Sequence, residues 1–220
     1  MEWHPLLLSF QVASIATAVA TVAGVAIATL LATTRFPGRD LLDVLITAPM
    51  VLPPTVLGYY VLIAVGRRSA IGGVYEDIVG SPIVFTKTGA VVAATIGALP
   101  LIVKSARAAL EAVDPTLVSA ARTLGAGPGR AFFTVRLPLA AAGIIAGVML
   151  AFARSLGDFG VTLMIAGDIP GETQTASLAI YDAIQSNREG DALGMIAVLS
   201  GVAIATLYAV NKLSARQRGS

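Results

Sequence analysis

Residues 119–138 read SAARTLGAGPGRAFFTVRLP and interrupt a chain whose neighbouring segments are almost entirely apolar. The stretch contains three arginines and three glycines. Long apolar segments on both sides of a short basic loop are typical of a protein that crosses a membrane and returns. The stretch therefore indicates the fold class and also marks a candidate functional surface.

The amino-acid composition supports a membrane protein. Hydrophobic residues make up 56% of the 220 residues, charged residues make up 13%, and the mean hydropathy is +0.82. Soluble domains usually contain about 25% charged residues. The net charge of +2 is too small to favour nucleic acid as a partner. Because the chain has no cysteine and only one histidine, His4, we expect it to bind no metal and no cofactor.

Five apolar segments are each long enough to cross the hydrocarbon core as a helix, which takes about 20 residues. The sequence therefore predicts an all-α integral membrane protein with five transmembrane helices in a single domain, residues 1–220, surrounded by lipid. The third segment is the weakest, because Lys104 and Arg107 interrupt it. We expect the first segment to be retained and not cleaved as a signal peptide, since Glu2 precedes it and its apolar run is too long. The predicted spans are 7–31, 42–65, 88–110, 139–165 and 193–213.

Lysines and arginines fall unevenly on the two sides that these spans define. With Arg154 left out because it lies inside a span, ten basic residues fall on one side and four on the other. Since basic residues are enriched in cytoplasmic loops, the N-terminus is predicted outside and the C-terminus in the cytoplasm. The ten are Arg35, Arg39, Lys104, Arg107, Arg122, Arg130, Arg136, Lys212, Arg216 and Arg218, and the four are Arg67, Arg68, Lys87 and Arg188.

The predicted cytoplasmic loop has the residues of a short helix followed by a turn. Asp114-Pro115 is typical of a helix start, and the glycines from Gly125 onward are typical of a helix end. Ala121 and Gly125 are four residues apart and share one helix face, which leaves a bare strip where another protein could approach closely. A connector without a partner is the alternative that these residues leave open.

This loop resembles the signature of permease subunits of binding-protein-dependent ABC importers. The signature is Glu-Ala-Ala, three residues, Gly, nine residues and Ile-x-Leu-Pro, and here Ser119 replaces the glutamate and Val135 the isoleucine. The resemblance implies a cytoplasmic coupling helix, within a region of about residues 111–136, that docks on a separate ATPase. The residues that it assigns to this coupling are Ser119, Ala120, Ala121, Arg122, Gly125, Ala126, Leu137 and Pro138.

Further stretches are similar to the molybdate permease family. They are FPGRDLLDVLITAPMVLPPTVLGYY (36–60), SARAALEAVDPTLVSAARTLGAG (105–127), FARSLGDFGVT (152–162) and IPGETQTASLAIY (169–181). The resemblance implies the type I ABC importer permease fold and a location in the bacterial inner membrane. It also implies a homodimer with two ATPase subunits and an external molybdate-binding protein. Tungstate has nearly the same size, charge and shape as molybdate, and the related sulfate/thiosulfate permeases are the nearest alternative.

The chain is expected to be a transport subunit and not an enzyme. It has no G-x-x-x-x-G-K-[ST] phosphate-binding loop, so ATP and Mg²⁺ are expected to be used by the partner ATPase. A more distant alternative is an ATP-independent secondary transporter or channel. That class would predict inverted repeats or broken half-helices in matched positions, and the sequence indicates neither.

Residues of the second and fourth spans are candidates for a translocation pathway. Pro53 and Pro54 interrupt the backbone hydrogen bonds of a helix, and free backbone groups at membrane depth are tolerated where they line a cavity. Arg154 and Asp158 are four residues apart, so they either line the pathway or neutralise one another. A proline kink that serves packing alone is also open. The candidate pathway residues are Pro53, Pro54, Thr55, Gly58, Arg154, Ser155, Gly157 and Asp158.

Two further patterns are weaker. Gly143-x-x-x-Gly147 is a motif for close helix packing within or between chains. The polar segment 167–190 contains a predicted short helix, Ala176–Gln185, that returns towards the bundle. This segment is either a surface for the external binding protein or a solvated loop.

Overall fold

The structure is a computed structural model that describes residues 3–218, with side chains described for residues 3–213. All regular structure in this range is helical, and one π-helical turn, Phe132–Arg136, joins α7 to α8. The helices are α1 (His4–Thr33), α2 (Arg39–Val51), α3 (Pro54–Val65), α4 (Ala70–Val79), α5 (Lys87–Glu111), α6 (Pro115–Thr123), α7 (Pro128–Ala131), α8 (Leu137–Leu156), α9 (Gly160–Ala166), α10 (Ala176–Gln185) and α11 (Glu189–Arg218).

Four helical stretches in the described range are long and apolar enough to cross a membrane. They are His4–Thr33, Lys87–Glu111, Pro128–Leu156 and Glu189–Leu213. They confirm helices at the first, third and fifth predicted spans and over most of the fourth. The predicted number of five continuous spans is wrong, because the second predicted span consists of two shorter helices, α2 and α3.

The break between α2 and α3 follows from the two adjacent prolines. A residue that precedes proline is pushed out of the α-helical region, and Leu52 accordingly has an extended ψ of 138°. Pro53, which precedes Pro54, has ψ 137° for the same reason. Pro54 is then the first residue of α3. Proline is tolerated at this position because the first backbone N–H groups of a helix have no hydrogen-bond partner within it.

The fourth predicted span is also interrupted, between Leu156 and Gly160. Asp158 is buried in this gap, and one of its carboxylate oxygens accepts the backbone N–H of Thr162 at 3.1 Å and the Thr162 hydroxyl at 2.6 Å. The first N–H groups of a helix have no partner within it, so Asp158 satisfies one of those of α9.

The packing of the long helices fixes their directions. The beginning of α1 shares a buried cluster with the beginning of α5, and the end of α1 shares another with the end of α5. The two helices are therefore parallel, and the chain between them returns from one end of the bundle to the other through α2 and α3. The start of α8 packs with the end of α5, so α8 is antiparallel to both.

Two ends of the bundle follow from this arrangement. We call the end where α1 and α5 terminate the coupling end; α2 and α8 begin there, and α6 lies there. The opposite, distal end contains the beginnings of α1 and α5 and the segments 66–86 and 167–188. Near the start of α11, Met195 packs with Leu6 at the distal end, so the start of α1 and the end of α11 lie at opposite ends.

Small residues allow close contact between the central helices. A Cβ atom at Gly24 of α1 would lie 2.9 Å from Cγ2 of Ile102, and one at Gly143 of α8 would lie 2.7 Å from Cβ of Ala109. Gly147 is equally crowded by Ser105. The Gly143-x-x-x-Gly147 motif therefore packs within the chain, against α5.

Candidate functional site

Helix α6 begins where the sequence predicts. The Asp114 carboxylate accepts the backbone N–H of Thr116 at 2.8 Å, and Pro115 is the first helical residue. This hydrogen bond from the Thr116 backbone lowers the pKa of Asp114 below its ordinary value. The carboxylate is therefore ionised at neutral pH and caps the helix through its charged form.

Helix α6 ends in a glycine turn. Gly125 has φ +89°, which only glycine adopts without strain. Its N–H donates to the Arg122 carbonyl at 3.0 Å, and the N–H of Ala126 donates to the Ala121 carbonyl at 3.1 Å. This pair of hydrogen bonds is the Schellman arrangement that closes many helix ends. Glycine at position 125 is thus required by the backbone, independently of any partner.

Helix α6 has no buried residue. Leu117 is 48% exposed, and Leu124, at the helix end, is 89% exposed. Ala120 and Ala121 lie three and four residues after Leu117, on the same side of the helix as Leu117 and Leu124, and we call these four residues the docking face. Exposed apolar residues in a contiguous patch mark an interaction site, so this face is suited to a protein partner.

The loop that contains α6 has two stems, the segment that leads into α6 and the segment that leads into α8, and both are held against the end of α5. Arg136 donates from Nε to the Leu110 carbonyl at 3.1 Å. Val113, just before α6, is buried in the core cluster at the coupling end. The predicted coupling residues 119–126 thus lie on α6 and its C-terminal turn, whereas Leu137 and Pro138 form the start of α8 and belong to the stem.

The two helix breaks touch each other. A Cβ atom at Gly160, the first residue of α9, would lie 2.6 Å from Cβ of Pro54, the first residue of α3. One turn further along α3, a Cβ atom at Gly58 would lie 2.8 Å from Cβ of Met164. Two broken helices thus lie side by side. The sequence predicts the interruption at Pro53 and Pro54 but not the break between Leu156 and Gly160.

A cavity of about 300 Å³ lies beside the paired breaks. Of the predicted pathway residues, Pro54 and Arg154 line it, together with Gly97 and Leu101 of α5. Gly58 does not, because it is buried against α9. The residues that complete the lining are Pro49, Met50, Leu52, Leu57 and Val161.

The remaining predicted pathway residues separate into two groups. Pro53, Thr55 and Gly157 are exposed on the surface of the chain. Ser155 and Asp158 are buried, and the Ser155 hydroxyl has no hydrogen-bond partner in the described part of the chain. The structure therefore brings together prolines and Arg154 around one cavity but does not gather all eight residues.

Arg154 and Asp158 form the ion pair that their spacing suggests. Nη1 of Arg154 lies 3.3 Å from Oδ1 of Asp158, whose side chain is 4% exposed, whereas that of Arg154 is 46% exposed. The carboxylate is thus enclosed and the guanidinium reaches towards the cavity. Sequence reasoning missed Thr162, the second partner of Asp158, although its i, i+4 spacing from Asp158 was a usable signal.

The predicted distal helix is present as α10, with the predicted bounds Ala176–Gln185. Leu178, Ala179 and Ala183 are buried, and the Ser9 hydroxyl of α1 accepts the N–H of Ala176 at 2.8 Å. Helix α10 therefore returns into the bundle, as expected.

Residues 13–217 match a protein family described as binding-protein-dependent transport system inner membrane component. The chain is 49% identical over 185 residues to the molybdenum transport system permease protein ModB of Escherichia coli strain K12, covering 84% of this chain and 81% of that protein. It is 46% identical over 160 residues to ModB of Haemophilus influenzae, covering 73% and 70%. The sulfate transport system permease protein CysT of Escherichia coli strain K12 is 34% identical over 196 residues, covering 88% and 69%.

Solved structures share the fold. A chain of the MetNI methionine ABC transporter, in an inward-facing conformation, superposes with a TM-score of 0.69 at 18% identity, covering 95% of this chain and 94% of that chain. The identity is low, so this likeness concerns the fold alone. It confirms the fold of type I ABC importer permeases.

Proposed function

Because the chain belongs to the family of binding-protein-dependent transport system inner membrane components, we propose that it is the permease subunit of an ATP-driven molybdate importer. It is a multi-pass protein of the inner membrane. The observation that carries the proposal is the exposed docking face on α6, within the stretch that resembles the importer signature.

Molybdate is the proposed substrate, with tungstate as an equivalent because it has the same charge and tetrahedral shape. The relatives at 49% and 46% identity are molybdenum permeases, whereas the sulfate permease is 34% identical. Sulfate or thiosulfate remains the second candidate, because the sulfate relative matches across 88% of this chain.

The coupling end is proposed to face the cytoplasm. The excess of lysine and arginine at that end supports this orientation, which places the N-terminus outside. The chain contributes one α6, so two ATPase subunits would require two copies of the permease. The assembly is therefore a homodimer with two ATPase subunits, which bind ATP and Mg²⁺, and an external binding protein.

The proposed mechanism couples ATP to transport through α6. When ATP closes the ATPase pair, the two docked helices approach one another and carry the stems at Glu111 and Leu137 with them. Hydrolysis reverses this movement. Nucleotide and binding protein thus shift the population between outward-open and inward-open arrangements of the helices.

The cavity beside the helix breaks is the proposed part of the pathway within this chain. Arg154 would attract an oxyanion there, and Asp158 would weaken its retention. Such a site favours passage over tight binding. Selectivity is then supplied by the external binding protein, which delivers the anion at the distal end.

The test is ATP hydrolysis by the reconstituted permease–ATPase complex in proteoliposomes, with its binding protein loaded in turn with molybdate, tungstate or sulfate. Stimulation by molybdate and tungstate, but not sulfate, is the expected result. Stimulation by sulfate alone would retain the importer and replace its substrate. Failure of an ATPase to assemble with the chain would refute the importer itself.

A further inference from the structure

A chain of alternating charges joins α2 to α5 at the coupling end. Nζ of Lys104 lies 2.9 Å from both carboxylate oxygens of Asp43, and Nη1 of Arg107 lies 3.2 Å from one of them. Asp43 lies in the second turn of α2, and both cations lie on α5. Two positive side chains of one helix thus hold a single carboxylate of the other.

The chain of charges continues through Glu111, the last residue of α5. Its Oε1 accepts from Nε of Arg107 at 2.9 Å and from Nη2 of Arg39 at 3.3 Å. Arg39 is the first residue of α2, so that helix contributes both Arg39 and Asp43 to the network. We call the five residues Arg39, Asp43, Lys104, Arg107 and Glu111 the ionic clamp.

The clamp adjoins the docking helix. Only residues 112–114 separate Glu111 from Pro115, and Val113 among them is buried in the same core cluster as Ile46 of α2. The returning stem is held at the neighbouring residue, Leu110, by Arg136. A displacement of α6 therefore acts directly on the end of α5 that the clamp occupies.

The clamp is also the main polar link between α5 and α2. Ile46 is the single buried residue of α2, so apolar packing constrains the position of this helix only weakly. Helix α2 leads to the break at Leu52–Pro53, beside the cavity that Arg154 lines. A directional set of ion pairs fixes the position of α2 along α5 more closely than the apolar contacts of Ile46 and Leu42 do.

We propose that the ionic clamp is a positioning device that transmits movement of α6 to the broken helices at the pathway. This inference rests on the proposed function. Isolated exposed ion pairs contribute little to stability, but a partly enclosed network with several shared partners constrains geometry as well. The clamp therefore determines how much of the ATPase movement reaches α2 and α3.

The test compares Asp43→Asn with wild type in the reconstituted complex. Asp43→Asn removes the carboxylate that both Lys104 and Arg107 share while preserving its shape. We expect the ATPase to remain bound but the molybdate uptake per ATP hydrolysed to fall about tenfold, a size typical of coupling between distant sites. Arg67→Gln, which breaks the Arg67–Glu76 pair at the distal end, is the matched control and should leave this ratio unchanged.

Exchanging the charges of Asp43 and Lys104 distinguishes a role of the clamp in positioning α2 from a role in folding. The double variant Asp43→Lys with Lys104→Asp should recover a large part of the uptake per ATP. If Asp43→Asn assembles poorly, Lys104→Met is measured instead. Arg107 still pairs with Asp43 in that variant and supports assembly, but both contacts from Lys104 to the carboxylate are lost, so the ratio should still fall. A normal ratio of uptake to hydrolysis in assembled Asp43→Asn or Lys104→Met complexes would overturn the proposal and leave the clamp a stabilising contact only. Wild type reports on the proposed function: if molybdate-loaded binding protein does not stimulate it, the molybdate assignment fails, whereas the clamp is judged by the ratio of variant to wild type with whichever anion stimulates.

Discussion

Gly160 and Pro54 meet where the two helix breaks touch, and a Cβ atom on Gly160 would lie only 2.6 Å from Cβ of Pro54. This contact joins the start of α9 to the start of α3. It sets the position of the prolines relative to the Arg154–Asp158 pair, and therefore the shape of the cavity between them.

Gly160→Ala should destabilise the protein, because the added methyl group collides with a proline ring atom that cannot rotate away. Overpacking of this kind costs about 1–3 kcal/mol. The measurement is thermal unfolding of the purified permease in detergent. Gly201→Ala is the control, since a Cβ atom at Gly201 meets nothing within 4 Å. Equal unfolding temperatures for the two variants would contradict the contact.

Gly125→Arg should abolish association with the ATPase, because it places a large charged side chain at the end of the docking face. Gly125→Ala is the control for backbone strain, since both variants occupy the same left-handed position at φ +89°. Copurification of the ATPase is the measurement. Normal recovery with Gly125→Arg would refute the docking role of α6.

Because the natural sequence contains no cysteine, single introduced cysteines can map the contact with the ATPase by cross-linking. Single variants Ala121→Cys and Leu124→Cys should form cross-links to a cysteine-scanned ATPase, because both positions lie on the docking face. Ile78→Cys is about as exposed as Leu124→Cys but lies on α4 at the distal end, and should give none. Cross-links from Ile78 alone would place the ATPase at the wrong end of the bundle.

Arg154→Gln should reduce both assembly and uptake, because it leaves the enclosed Asp158 carboxylate without its cation. Asp158→Asn in the same chain should restore assembly, since Asn can still accept from Thr162. Uptake should nevertheless remain low in the double variant, because the cavity has lost the cation that lines it. Full uptake by the double variant would show that the pair is structural alone.

Asp114→Ala should weaken coupling, whereas Asp114→Asn should retain it, because asparagine also caps helices. The pKa of Asp114 is lowered in the folded chain. The stabilisation that its carboxylate gives to α6 is therefore complete at pH values above the ordinary pKa of aspartate, and it is lost as the pH falls through the lowered pKa. Hydrogen exchange of α6 amides in the assembled complex should therefore be slow in wild type and Asp114→Asn. Fast exchange in both, or slow exchange in Asp114→Ala, would contradict the cap.

Local sequence signals predicted the elements whose ends are marked by single residues. Asp114-Pro115 and Gly125 defined α6, and long apolar runs defined α1, α5 and α11. The second span was mispredicted because an apolar run has the same composition whether or not it is broken. Pro49 is tolerated inside α2, whereas Pro53 and Pro54 together end it.

Contacts between distant segments could not be predicted from one sequence. Asp43 and Lys104 are 61 residues apart, and the sequence around either residue gives no signal that it pairs with the other. The sequence analysis interpreted Lys104 and Arg107 as interruptions of the third span and as cytoplasmic basic residues. The structure shows that they also pair with Asp43 and Glu111. The contact between Gly160 and Pro54 likewise depends on how the two breaks are brought together.

The most direct test of the central claim is molybdate uptake into proteoliposomes that contain the permease, its ATPase and binding protein, with ATP enclosed and all ion gradients dissipated. We expect uptake that requires ATP and the binding protein, persists without ion gradients and is unaffected by excess sulfate. Uptake that follows an ion gradient and continues without ATP would contradict the account and identify the chain as a secondary transporter.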